Sequence, residues 1–78
     1  MNNEADMRLS KVEHKLTYAY MNVDEIMRAV YRNDYDPRLV RVRRHRTQWH
    51  LDRLVEQDRA EVREVGNLRL YRRKEARR

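Results

Sequence analysis

Cysteine is missing from this 78-residue chain, and glycine and proline occur once each. Without cysteine there is no disulfide framework and no thiolate metal site. A single glycine argues against a phosphate-cradling loop. No apolar run approaches membrane-spanning length, and the polar, acidic Met1–Asp6 stretch is unlike a secretory signal, so no membrane partner and a cytoplasmic location are expected. Internal repeats and low-complexity tracts are absent. His14, His45 and His50 do not form a metal set: the five-residue gap from His45 to His50 misses the i, i+4 spacing of paired helical ligands. No nucleophile setting is recognisable, so neither an enzyme, nor a cofactor, nor a small-molecule ligand is expected.

What is present is charge, unevenly spread. Charged residues make up 41% of the chain and the net charge is +6. Residues 1–36 hold 5 Lys/Arg against 7 Asp/Glu, whereas residues 37–78 hold 14 against 6. Sixteen of the 19 basic residues are arginine, whose planar fork suits phosphate and guanine. A cationic half attached to a near-neutral half points to a polyanionic partner. The length allows one small domain over 1–78 with a modest core, so a second copy would add stability.

Leu9, Val12, Leu16 and Ala19 recur at helical spacing, which predicts a first helix over 4–20. The spacing continues through Val23, Ile26 and Val30, which leaves a long coiled coil as an alternative. A break is preferred, because Asn22 is a good N-cap and Asp24 and Glu25 suit a first helical turn. The second helix is then expected from Val23 to about Arg32. Asn33–Pro37 reads as a loop, with Asp36 capping and Pro37 opening a new helix. From there to Gln57 either one helix or two are open, since the run Arg41–Arg46 holds a single apolar residue. Leu51, Leu54 and Val55 must face the core. Trp49, beside Leu51 and Val55, is expected at a core or interface, and the five tyrosines mostly in packing. Gly66-Asn67 predicts a two-residue hairpin turn over strands within 60–73. Its register sets Val65 opposite Leu68, Glu64 opposite Arg69, Val62 opposite Tyr71 and Glu61 opposite Arg72. Lys74–Arg78 reads as a basic tail.

This order of parts resembles the winged helix-turn-helix DNA-binding superfamily. Leu51 and Leu54 stand where a recognition helix ends, Ala60–Val62 where a strand follows, and Leu68-Arg69-Leu70-Tyr71 where the hairpin returns through an aromatic. Asn22-Val23-Asp24-Glu25-Ile26 looks like the entry to the preceding helix, so 22–57 would hold the helix-turn-helix region. Two departures stand out: Asp58 replaces the usual glycine after the recognition helix, and the helical region from Pro37 is long. The resemblance implies an α+β fold of about three helices followed by a two-stranded wing. It also implies a double-stranded DNA partner, with early recognition-helix residues at base edges. Arg41, Arg43, Arg44, Arg46 and Gln48 are the candidates there. Arg63, Arg69, Arg72 and Arg73 would approach phosphates from the wing. A homodimeric prokaryotic, viral or plasmid transcription regulator is expected, acting at the nucleoid or in a host cytoplasm, with Leu9, Val12 and Leu16 as the candidate dimer contact. A protein-binding use of the same scaffold is the alternative.

Overall fold

The structure is a computed structural model that describes residues 4–75, with side chains from Arg8 onward. It is an α+β fold of winged-helix layout. Helix α1 (Glu4–Lys15) leads to a short strand β1 (Met21–Asn22) and helix α2 (Val23–Val30). A 3-10 turn (Pro37–Leu39) then feeds helix α3 (Val40–Glu56), and strands β2 (Ala60–Val65) and β3 (Leu68–Arg73) close the domain. The sheet is antiparallel in the order β1-β3-β2. The hairpin β2–β3 is the two-stranded wing expected, and β1 adds a third strand to the sheet, Met21 pairing with Tyr71 and Asn22 with Leu70. The region from Pro37 resolves into one α-helix entered through a 3-10 turn, not two helices.

Local chemistry accounts for the element ends. The Asn22 side chain accepts the Glu25 amide at 2.8 Å, and the Glu25 carboxylate accepts the Asn22 amide at 2.9 Å. This reciprocal box satisfies two amides that would otherwise lack partners at the start of α2. Asp36 accepts the Arg38 amide at 3.0 Å and so caps the 3-10 turn. Helix α3 ends in a Schellman motif. The Arg59 amide donates to the Leu54 carbonyl at 2.8 Å, the Asp58 amide donates to the Val55 carbonyl at 3.0 Å, and Asp58 sits at φ 61°. Asp58 thus adopts the left-handed conformation for which glycine is the usual residue; aspartate tolerates it better than most side chains. At the hairpin, Gly66 has φ 60°, and the register matches the expected one at every pair, Val65 with Leu68 through Glu61 with Arg72. A positive φ at the first central position alone fits the II′ pattern.

Helix α1 is shorter than its periodicity predicts. It stops at Lys15, and the Thr17 hydroxyl accepts the Ala19 amide at 3.1 Å in a tight turn. The reason is tertiary: the Arg73 amide donates to the Thr17 carbonyl at 2.7 Å, which draws the chain out of the helix and alongside β3. A continuous coiled-coil helix through Val30 is thereby excluded. The core joins Leu9, Val12 and Leu16 to Ile26 and Val30 of α2, Leu51 and Leu54 of α3, and Ala60 and Tyr71 of the hairpin. Each large aliphatic side chain removed from water here contributes roughly 1.5–3 kcal/mol. Among the described residues, no helix is long and apolar enough to cross a membrane.

Candidate nucleic-acid interface

Helix α3 buries one face through Thr47, His50, Leu51 and Leu54. The positions opposite that face are then dictated by helical geometry. Arg41, Val42, His45 and Trp49 point outward and are exposed, with Arg46 and Arg53 along one flank. From Pro37 to Leu51 the chain carries no carboxylate. Trp49 is 52% exposed, so it belongs to this outer face and not to the core. Its ring lies 5.2 Å from the Arg53 guanidinium and meets the His50 ring edge-on at 5.3 Å. Tyr18 and Tyr35 are likewise exposed rather than packed.

The structure divides the expected base-edge residues into two groups. Arg41 and Arg46 are exposed and make no ion pair among the described residues. Arg43 turns inward: its side chain is only 12% exposed, bonds Asp34 at 2.9 Å and stacks 4.4 Å over Tyr31. It holds the loop after α2 against α3. Gln48 donates to Asp52 at 3.0 Å and to the Tyr71 hydroxyl, which itself donates to Asp52 at 3.2 Å. That triangle fastens α3 to the hairpin around a tyrosine that is fully buried, and burial pushes the Tyr71 phenol above its ordinary pKa. Arg44 lies between these cases, pairing with Asp24 at 2.7 Å with both side chains half exposed. Asp24 sits in the first turn of α2, whose positive end it already satisfies. Arg44 therefore neutralises a carboxylate that would repel a phosphate.

The wing arginines divide similarly. Arg72 bonds Glu61 at 2.6 Å and lies 4.8 Å from the Tyr20 ring centre; the Glu61 carboxylate raises its pKa. Arg69 pairs with Glu64 at 3.4 Å, and the Tyr71 hydroxyl and Glu64 together raise its pKa. Both cross-strand pairs are those expected from the register. Arg73 is not at the wing surface in function. Its guanidinium donates to the Glu13 carbonyl at 3.0 Å and the His14 carbonyl at 3.3 Å, so it caps the C-terminal end of α1. A cation there meets the negative end of the helix. Arg63 is the exposed wing arginine with no ion pair among the described residues; it lies 5.3 Å from the Tyr20 ring.

Leu9, Val12 and Leu16 are 6%, 3% and 2% exposed within a single copy. They are core residues, and among the described side chains of α1 they leave no apolar stripe for a partner chain to cover. His50 is 9% exposed, and burial pushes its pKa down, opposed by a hydrogen bond to the Arg46 backbone. Glu13 is held below the ordinary carboxylate range chiefly by its hydrogen bonds from Arg59, one of them 3.0 Å long.

Sequence reasoning named Arg41 and Arg46 but missed Val42, His45 and Trp49 as one face. The signal was available once Leu51 and Leu54 were taken as inward, because spacings of three and four residues back from them leave Arg41, Val42, His45 and Trp49 on the other side. No family model, curated protein or solved structure matches the chain.

Proposed function

We propose that this chain is a double-stranded DNA-binding protein of the winged helix-turn-helix superfamily, a small prokaryotic, viral or plasmid transcription regulator with no catalytic activity, working in the compartment that holds the DNA. The observation that carries the reading is the outer face of α3: exposed Arg41, His45 and Arg46 with no carboxylate before Asp52. A helix of this form fits the major groove, where arginine reads the O6 and N7 of guanine. Arg63, exposed on the hairpin 5.3 Å from the Tyr20 ring, supplies a phosphate contact that fixes orientation without reading sequence. Arg44 stays with Asp24, 2.7 Å away, and so keeps that carboxylate from repelling a nearby phosphate. Two copies on a two-fold operator belong to the same proposal, through a surface other than the α1 stripe.

The test is a titration of fluorescent duplex DNA at increasing salt. Roughly four to five phosphate contacts give a log–log slope of about −3.6 to −4.5. In the same assay Arg41→Ala should cost about 1–3 kcal/mol on the preferred site and relax preference at one base position. A flat salt response, or no binding at about 50 mM salt, refutes the proposal. It would favour instead a protein partner for the exposed strip of Leu39, Val42 and Trp49, which are 39%, 47% and 52% exposed.

A further inference from the structure

Val42 and Trp49 are apolar side chains on the most basic helix of the molecule. They are 47% and 52% exposed, and neither belongs to the core. Folding does not require them. Electrostatic attraction to phosphate does not require them either. Their neighbours on the outer face, Arg41, His45 and Arg46, are exposed as well, so the strip is a convex ridge. A ridge of this kind seats in a concave partner, and the absence of carboxylates from Pro37 to Leu51 makes that partner anionic.

We infer that Val42 and Trp49 read the C5-methyl groups of thymine in the major groove, so that the preferred site carries two thymines within about three base pairs of each other. The inference rests on the DNA-binding reading given above. Within the major groove the thymine methyl is the one apolar feature on the base edges; the rest are hydrogen-bond donors and acceptors. Valine has no polar atom. Set against guanine O6, adenine N6 or cytosine N4 it would strip water from a polar group and return no hydrogen bond. Against a thymine methyl it loses nothing and buries apolar surface on both sides. Val42 and Trp49 are seven residues apart, about 10 Å along the helix axis. A helix lying in the groove is inclined to the duplex axis, so with about 3.4 Å of rise per base pair the two side chains meet base pairs at most about three steps apart. The Arg53 guanidinium lies 5.2 Å over the Trp49 ring and adds a cation to the same strip. Arg41 lies next to Val42 on the same face and would read a guanine close to the first thymine.

The experiment uses the full chain and a duplex selected from a random pool. Each thymine is replaced in turn by uracil, which deletes the methyl and leaves every hydrogen-bonding group in place. Wild-type protein should lose about fourfold in affinity at one or two positions, the worth of one buried methyl each. Val42→Ala should abolish the sensitivity at one of them, and Trp49→Ala at the other. Both side chains are half exposed, so the variants fold, and the uracil arm leaves the protein unchanged. Sequence-specific binding that ignores every uracil, or an unchanged uracil response in Val42→Ala, overturns the inference while leaving DNA binding intact. Failure to bind any duplex overturns both.

Discussion

Replacing Arg73 with alanine distinguishes a residue that holds the fold from one that holds a nucleic acid. Arg73 lies on the last strand among other arginines, where a phosphate contact is the natural expectation from sequence. In the structure its guanidinium faces inward and donates to the carbonyls of Glu13 and His14 at 3.0 and 3.3 Å. Hydrogen bonds from a charged donor contribute roughly 1.5–3 kcal/mol each, and a cation at a helix C-terminus adds about 0.3–1 kcal/mol. Two features reduce this: the side chain is only partly buried, and its Nε is buried without a hydrogen-bond partner. A net loss of about 2 kcal/mol is therefore expected for Arg73→Ala, taking the low end of those ranges. In a domain of this size that corresponds to a fall of about 8–16 °C in Tm. The assay is urea unfolding followed by circular dichroism, with DNA titrations run well below the transition. Arg73→Lys keeps the charge beside the carbonyls and should recover about half the loss. Arg63→Ala should show the opposite behaviour, with stability within about 0.5 kcal/mol of wild type and a salt slope shallower by about one unit. If Arg73→Ala leaves the urea midpoint unmoved but lowers the salt slope by about one unit, the capping argument is wrong and Arg73 is a phosphate contact after all.

Other perturbations test other parts of the structure. Leu16→Glu buries a carboxylate at a site 2% exposed, so sedimentation and circular dichroism should find an unfolded chain; a well-folded monomer would return this residue to a subunit interface. Asp58→Gly should be neutral or stabilise by up to about 1 kcal/mol, while the β-branched Asp58→Val should destabilise by about 1–2 kcal/mol, because the position is left-handed; equal urea midpoints for the two would deny the Schellman turn. His50 has a folded-state pKa below its ordinary 6.5, so its contribution is complete above that value and is lost as pH falls through the folded-state pKa. Unfolding midpoints from pH 7 downward should fall more steeply in wild type than in His50→Gln. The Glu13 contribution follows the same sign at lower pH, below its ordinary 4.5, and Glu13→Gln should flatten that part of the curve.

Local chemistry was legible in the sequence, and long-range pairing was not. The Asn22–Glu25 box spans three residues and follows from side-chain type alone. The hairpin register follows from one glycine, because a two-residue turn leaves no other alignment, and Glu61–Arg72 and Glu64–Arg69 fall into place with it. Strand β1 is two residues long and owes its conformation to β3, about fifty residues later, so no periodicity marks it. The same distance hides the true end of α1. The arginines posed a related difficulty: Arg41 and Arg43 are two residues apart and chemically identical, yet one faces solvent while the other closes on Asp34 and Tyr31. The core positions of α3 decide which does which, and in the sequence the basic run obscures them. Leu9, Val12 and Leu16 form an apolar stripe under either a core or a dimer reading; the small size of the chain favoured invoking a second copy, but the hairpin and α3 are sufficient to cover them.

The last strand among the described residues, β3, is the middle strand of the sheet, and this orders events in time. A polypeptide made from its N-terminus presents three helices before Leu68–Arg73 exists. Until then Met21 and Asn22 have no strand to join, the space Tyr71 fills is hollow, and the final carbonyls of α1 wait for a donor. Nothing completes the structure until this segment clears the ribosome, and then several closures occur together. Folding should therefore be abrupt and late, with nascent chains halted before Tyr71 remaining sensitive to protease and those a few residues longer, once free of the tunnel, turning resistant.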